Sequence, residues 1–262
     1  MKPQVYKDSR PAGYFTRFHE RARRRPADWM YEVVRVLLTP YLLLVHRTRC
    51  IDSDKVPPSG RVIIAPNHFS FLDHFFVAVY LRRRVQFMAK SQLFKWPMQF
   101  VFSHGGVFPI RRGQRDEEGF ITAHEVLKRG GAVVMYCEGG RSRTEQLGRP
   151  KPGIGRLALE SGAPVVPTAI VGSQKARNWK RLQFPKVTVQ YGDPIRFEVV
   201  ENPTREQAQA ASELIFERIK ALYEALEASG RSRAVRAARA ARRAAEAAQR
   251  SAEAAGRRPV PR

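Results

Sequence analysis

Cysteine is nearly absent from this chain: Cys50 and Cys137 are the two in 262 residues. That excludes a disulfide framework and any paired-cysteine metal site, and it fits a reducing, cytosolic setting. Long uncharged apolar runs are missing as well. The most apolar stretch, 29–45, carries Glu32, Arg35 and Pro40, and it falls short of the ~18–20 residues that a spanning helix needs. It also has no small-residue cleavage site, so export is not expected. Acidic residues are scarce, 24 against 47 lysines and arginines, for a formal charge of +23. A surface so basic suits polyanions: nucleic acid, anionic lipid headgroups or an acidic carrier protein. There is no helix-turn-helix, zinc or RNP signature, so no specific nucleic acid is expected as a partner. No G-x-S-x-G is present, which removes the usual nucleophile elbow.

What is there reads as a globular core with extensions. Hydrophobic residues make up 43% and phenylalanines number 15, enough to bury a real core at this length. Residues 1–50 form a basic, amphipathic helical region. In it Tyr14, Phe15 and Phe18 interleave with Arg17 and Arg21, and an apolar helix from Trp29 is broken at Pro40. Such a region suits the interface of an anionic membrane, with Trp29 and Tyr31 as interface residues. From 51 to 200 the pattern is α/β. Strands are expected at 61–65, 85–89, 106–110, 132–137, 165–171 and 187–191, and helices at 72–81, 92–103, 116–129 and 155–161. The alternation predicts a mixed, largely parallel sheet flanked by helices. The aromatic run 93–102 suits either a tunnel for a hydrocarbon chain or ordinary core packing. Residues 201–229 form a C-terminal helix with Thr204 as N-cap, ended by Gly230. The Ala/Arg-rich remainder, 230–262, cannot bury a core and reads as a loose helix or disordered tail.

The chemistry concentrates at strand ends. Asn67-His68-Phe69-Ser70-Phe71-Leu72-Asp73 follows the β-branched run 62–65 and places a histidine five residues before an aspartate on one strand-to-helix turn. If the turn bends back, the carboxylate fixes one ring nitrogen and leaves the other to act as a base. A dyad without its own nucleophile points to a substrate that supplies the attacking group. A second cluster, Phe108-Pro109-Ile110-Arg111-Arg112, ends a strand in two guanidinium groups that can meet a phosphate. The third, Glu138-Gly139-Gly140-Arg141-Ser142-Arg143, follows the most apolar strand. Its glycines permit close backbone approach, and Arg141 and Arg143 can face a dianion.

Together with Val165-Val166-Pro167, these blocks resemble the glycerolipid acyltransferases of the lysophosphatidate (1-acylglycerol-3-phosphate) acyltransferase type. Asn67-His68 and Asp73 are similar to the family's N-H-x4-D block, and Arg112 takes the place of the second block's arginine. Glu138-Gly139-Gly140-Arg141-Ser142 resembles E-G-T-R-S, with Gly140 where threonine is usual. The resemblance spans roughly 51–192. It implies an O-acyltransferase with His68 and Asp73 catalytic. Arg112 and Arg141, with the Gly139 backbone, would hold the acceptor phosphate, and Glu138 would position arginines or backbone. No metal or cofactor is implied. The expected partners are an acyl-CoA or acyl-carrier-protein donor, a lysophospholipid acceptor and an anionic membrane surface, with the protein peripheral or monotopic at the cytoplasmic face of the cell membrane. Two alternatives stay open: the same chemistry on another lyso-lipid or a lipid-linked amine, or a basic nucleic-acid-binding protein.

Overall fold

The computed structural model describes residues 8–111, 116–142, 144–177 and 183–256. The core is built on strand β2 (Val62–Pro66), in which all five residues are buried. Its neighbours are β5 (Ala132–Val134) on one side and β6 (Val165–Val171), apolar but for Thr168, on the other, both parallel to it. Strands covered on both faces carry apolar side chains at every position, and the period of two sends alternate residues to opposite layers. Val62 and Ile64 pack with Phe76, Val134 and Tyr191, whereas Ile63 and Ala65 pack with Ile154, Leu157, Ile215 and Ile219.

Outward from β5 lie β3 (Gln86–Lys90) and β4 (Val107–Ile110); outward from β6 lie β7 (Thr188–Tyr191) and β1 (Arg49–Ile51). The order β1-β7-β6-β2-β5-β3-β4 is parallel throughout except for the antiparallel β6–β7 pair. This is the mixed, largely parallel sheet that the sequence predicts. The first layer of side chains is covered by α2 (Trp29–Leu44) and α3 (Asp73–Ala78), and the second by α5 (Glu117–Lys128), α6 (Pro152–Ser161) and α7 (Arg205–Ser229). The remaining helices are α1 (Thr16–Arg24), α4 (Met98–His104) and α8 (Arg231–Gly256).

Several expectations need correction. Strand β1 was not anticipated, because Arg-Cys-Ile carries no alternation; it exists through its parallel pairing with β7. The expected helix 92–103 is confined to Met98–His104, since Lys95-Trp96-Pro97 interrupts it and Pro97 serves as its N-cap. Pro40 does not break the apolar segment: α2 runs through it as one helix, capped by the Asp28 carboxylate on the Met30 amide at 3.2 Å. A proline withdraws one donor, and burial of Tyr31 and Leu42 on either side of it holds the helix down. Tyr31 is not an interface residue. Phe15 and Phe18 are buried beside Ala89 and Phe94, and Tyr31 lies in the main core. The tail is a helix through Gly256, as its alanine and arginine content favours.

The tightest helix contact is between α6 and α7. A Cβ on Gly155 would lie 2.0 Å from the Ala208 carbonyl oxygen and 2.7 Å from the Ser212 Oγ, and the Gly155 amide donates to that Oγ at 2.9 Å. Gly155→Ala should therefore force the helices apart at a cost of about 1–3 kcal/mol. Urea denaturation measures it, and a midpoint within error of wild type would show that the interface yields freely.

Candidate active site

In a parallel sheet, ligands bind beyond the carboxyl ends of the strands. Strands β2, β4 and β5 all run to one edge here, which brings the turn after β2, the arginine end of β4 and the loop after β5 to that edge. Asn67 extends the β2–β6 ladder by a side chain. Its Nδ2 donates to the Ile170 carbonyl at 3.1 Å and its Oδ1 accepts from the Ile170 amide at 2.7 Å. The chain then folds around Asp73, the first residue of α3. Asp73 Oδ2 accepts from the Phe69 and Ser70 amides, both at 2.7 Å, and meets His68 Nδ1 at 2.9 Å. Asp73 is fully buried and His68 nearly so. With Nδ1 engaged by a carboxylate, proton uptake falls to Nε2.

Glu138 secures the turn from the next strand over. Its Oε1 accepts from the His68 amide and its Oε2 from the Gly148 amide, each at 3.0 Å. Of the two roles expected for Glu138, these contacts are to backbone. The Ser142 amide donates to the His68 carbonyl at 2.8 Å, so the loop carrying Gly139, Gly140 and exposed Arg141 is tied directly to the histidine. Gly139 turns with a φ of 64°, and Lys151 lies so close to it that a Cβ would be 2.9 Å from the Lys151 Cδ. At the end of β4 the Arg111 amide is held by Asp116, the N-cap of α5. Arg112 and Arg143 lie outside the described residues.

Four site residues escape sequence reasoning. Tyr136 stacks on the His68 ring with centroids 3.8 Å apart and planes at 20°, and its hydroxyl shares a 2.8 Å hydrogen bond with His74 Nδ1. Burial, then the nearby Asp73 charge, raises the Tyr136 phenol well above its usual pKa, so it stays protonated. Gly148 is required because a Cβ there would lie 2.4 Å from Glu138 Oε2. Lys151 adds a cation beside the glycine loop. Only His74, directly after Asp73, adjoined the motif, and nothing in the sequence tied it to a tyrosine 62 positions on.

A family model described as Acyltransferase matches residues 47–171. These residues belong to the acyltransferase family. The chloroplast 1-acyl-sn-glycerol-3-phosphate acyltransferase of Brassica napus is 31% identical over 134 residues, covering 50% of this chain and 39% of that protein. A probable 1-acyl-sn-glycerol-3-phosphate acyltransferase of Mycoplasma genitalium is 29% identical over 167 residues, covering 60% and 62%. The chain thus spans less than two thirds of the length of these relatives. The acyltransferase fold extends further than the sequence match. The crystal structure of the 1-acyl-sn-glycerophosphate acyltransferase PlsC from Thermotoga maritima superposes with a TM-score of 0.54 at 20% identity, over 80% of this chain and 88% of that one.

Burial raises the Glu138 carboxyl from 4.5 to about 7, against the two amides that pull it down. The folded protein therefore holds this proton more tightly than the unfolded chain. Its contribution to stability is complete below about pH 4.5 and is lost as the pH rises through about 7. Glu138→Gln should remove that part of the pH dependence, on the order of 3 kcal/mol. Denaturant titrations at about pH 5 and about pH 8 test this, and identical slopes for both proteins would place the carboxyl at its ordinary pKa.

Proposed function

We propose that this acyltransferase works at a membrane surface, moving a fatty acyl group from a thioester to the free hydroxyl of 1-acylglycerol-3-phosphate to give phosphatidate. The observation that carries this reading is the buried His68–Asp73 pair, whose chain neighbours Phe71 and His74 line an apolar cavity. The cavity, about 340 Å³, is lined by residues of α2, α3, β3 and α4, including Leu38, Phe75, Phe87 and Met98. His74 and Phe71 line its side toward the dyad. An acyl chain seated there would bring its carbonyl carbon toward His68.

The chemistry follows from the groups present. His68 Nε2 takes the proton of the acceptor hydroxyl as its oxygen attacks the thioester carbonyl. Asp73 stabilises the imidazolium and holds its tautomer. The tetrahedral intermediate collapses with cleavage of the C–S bond, and the departing thiolate recovers the proton from His68. No acyl-enzyme forms, because the acceptor is the nucleophile. Arg141, Arg112 and the Gly139–Gly140 backbone would hold the acceptor phosphate, with Lys151 beside them. The names of the relatives support the choice of acceptor. Glycerol-3-phosphate, named for the Pasteurella multocida acyltransferase that is 30% identical over 109 residues, is the second acceptor to test.

Membrane contact is favoured by the outer face of α2 and the turn before α4. Val36 is 66%, Leu44 77% and Trp96 82% exposed, and each such side chain contributes ~1.5–3 kcal/mol when buried. No helix among the described residues is long and apolar enough to cross a membrane. The protein would therefore lie on the surface, which we place at the cytoplasmic face.

Purified, folded His68→Ala protein should lose acyl transfer by about 10²–10⁴-fold; turnover near wild type would exclude the dyad mechanism. Arg141→Ala should lower kcat/KM roughly ten- to hundred-fold, mainly through the KM for the phosphorylated acceptor. Equal rises in both substrates' KM would make Arg141 structural.

A further inference from the structure

A second cavity, about 640 Å³, opens where α7 meets α8, and six of its nine lining residues are cations: Arg47, Arg49, Lys186, Arg231, Arg233 and Arg236. None of the nine is acidic. They converge from three separate parts of the chain: the entry to β1, the entry to β7 and the first turns of α8. Like charges gathered without a counter-charge repel, and a fold keeps such a cluster most readily where an anion occupies it.

Arg231 bears the strain of the arrangement. One of its guanidinium nitrogens donates to the Arg47 carbonyl, while the other, Nη1, is buried without a hydrogen-bond partner among the described residues. Burial, then Arg49 and Arg47, lowers the Arg231 pKa from its usual value. A phosphate in the cavity would neutralise the surrounding cations, with the planar fork geometry that guanidinium groups offer.

Position in the fold identifies the source of the phosphate. Arg49 lies level with Thr188 of β7, and Thr188 with Val171 at the end of β6. Thr168 of β6 lies level with Pro66, just before the catalytic turn. The cavity and the dyad therefore share one edge of the sheet, three strands apart, or roughly 14 Å. Arg47 also follows exposed Leu44 by three residues, so the cationic cavity continues the apolar outer face of α2. We propose that this cavity is a binding site for the phosphate headgroup of an anionic membrane lipid, seated beside the apolar face that enters the bilayer. The proposal rests on the membrane-surface reading above. It makes the first turns of α8 part of a built site, while the more distal Arg239, Arg243 and Arg250 lie beyond it.

The test compares two triple variants of equal charge in the full chain: Lys186→Gln/Arg233→Gln/Arg236→Gln in the cavity and Arg239→Gln/Arg243→Gln/Arg250→Gln along the distal helix. All six side chains are exposed, and an unchanged Tm verifies the fold. Binding is measured to phosphatidylcholine vesicles with and without phosphatidylglycerol. The cavity variant should lose at least about ten-fold in affinity for the anionic vesicles and the distal variant less than about three-fold, with neither changed in micellar turnover. Equal losses would overturn the site in favour of diffuse attraction. Competition by free coenzyme A, with a raised thioester KM in the cavity variant, would assign the cavity to the donor's phosphates and overturn the lipid. Repeating the vesicle measurement on His68→Ala protein keeps failure of the enzymatic reading and failure of the lipid site in separate assays.

Discussion

One carboxylate oxygen organises the site. Asp73 Oδ2 draws in two backbone amides and the His68 ring, so the same atom closes the turn and fixes the imidazole. A buried carboxylate is tolerated only when donors surround it, and here the donors are the residues that must be held. Folding the turn and orienting the base are therefore one event. Glu138 repeats the arrangement from β5, spending both its oxygens on backbone amides, one of them that of His68. The two acids follow the adjacent strands β2 and β5 in the chain and hold the histidine by its side chain and by its main chain.

Around this polar centre the protein is divided between apolar and cationic surfaces. Helix α2 buries Tyr31 and Leu42 against the core and turns Val36 and Leu44 outward. It thereby walls the apolar cavity on one side and presents hydrocarbon on the other. Tyr136 and His74 mark the boundary between cavity and base: the phenol stacks on His68, and His74 lines the cavity while bonding the phenol. In the proposed reaction, the histidine and the acyl chain would be coupled through these two side chains, which are in direct contact.

The strands of the core and the order of the chemical blocks were legible in the sequence. Runs such as 62–65 are apolar at every position, and 165–171 is so but for Thr168, which in a chain of this length has few solutions besides a strand covered on both faces. The His–Asp turn was legible because its parts are local, five residues apart, and the four-block resemblance named the chemistry that such a turn performs. Misreadings came where context overrides local signal. Pro40 ordinarily breaks a helix, yet core contacts on both sides keep α2 continuous. Tyr31, beside Trp29 in a basic amphipathic stretch, read as an interface residue, yet it is buried in the main core.

By itself the sequence determined the layered α/β core, the dyad and the scarcity of negative charge, since each depends on residue type and short spacing. Tertiary structure decided which distant groups meet. It brought Tyr136 onto His68, Gly148 beneath Glu138, and six cations from three segments around one cavity. The physical reason is that stacking, close approach and charge convergence act through space over 4–10 Å. Separation along the chain carries no information about those distances until the sheet has set its strand order.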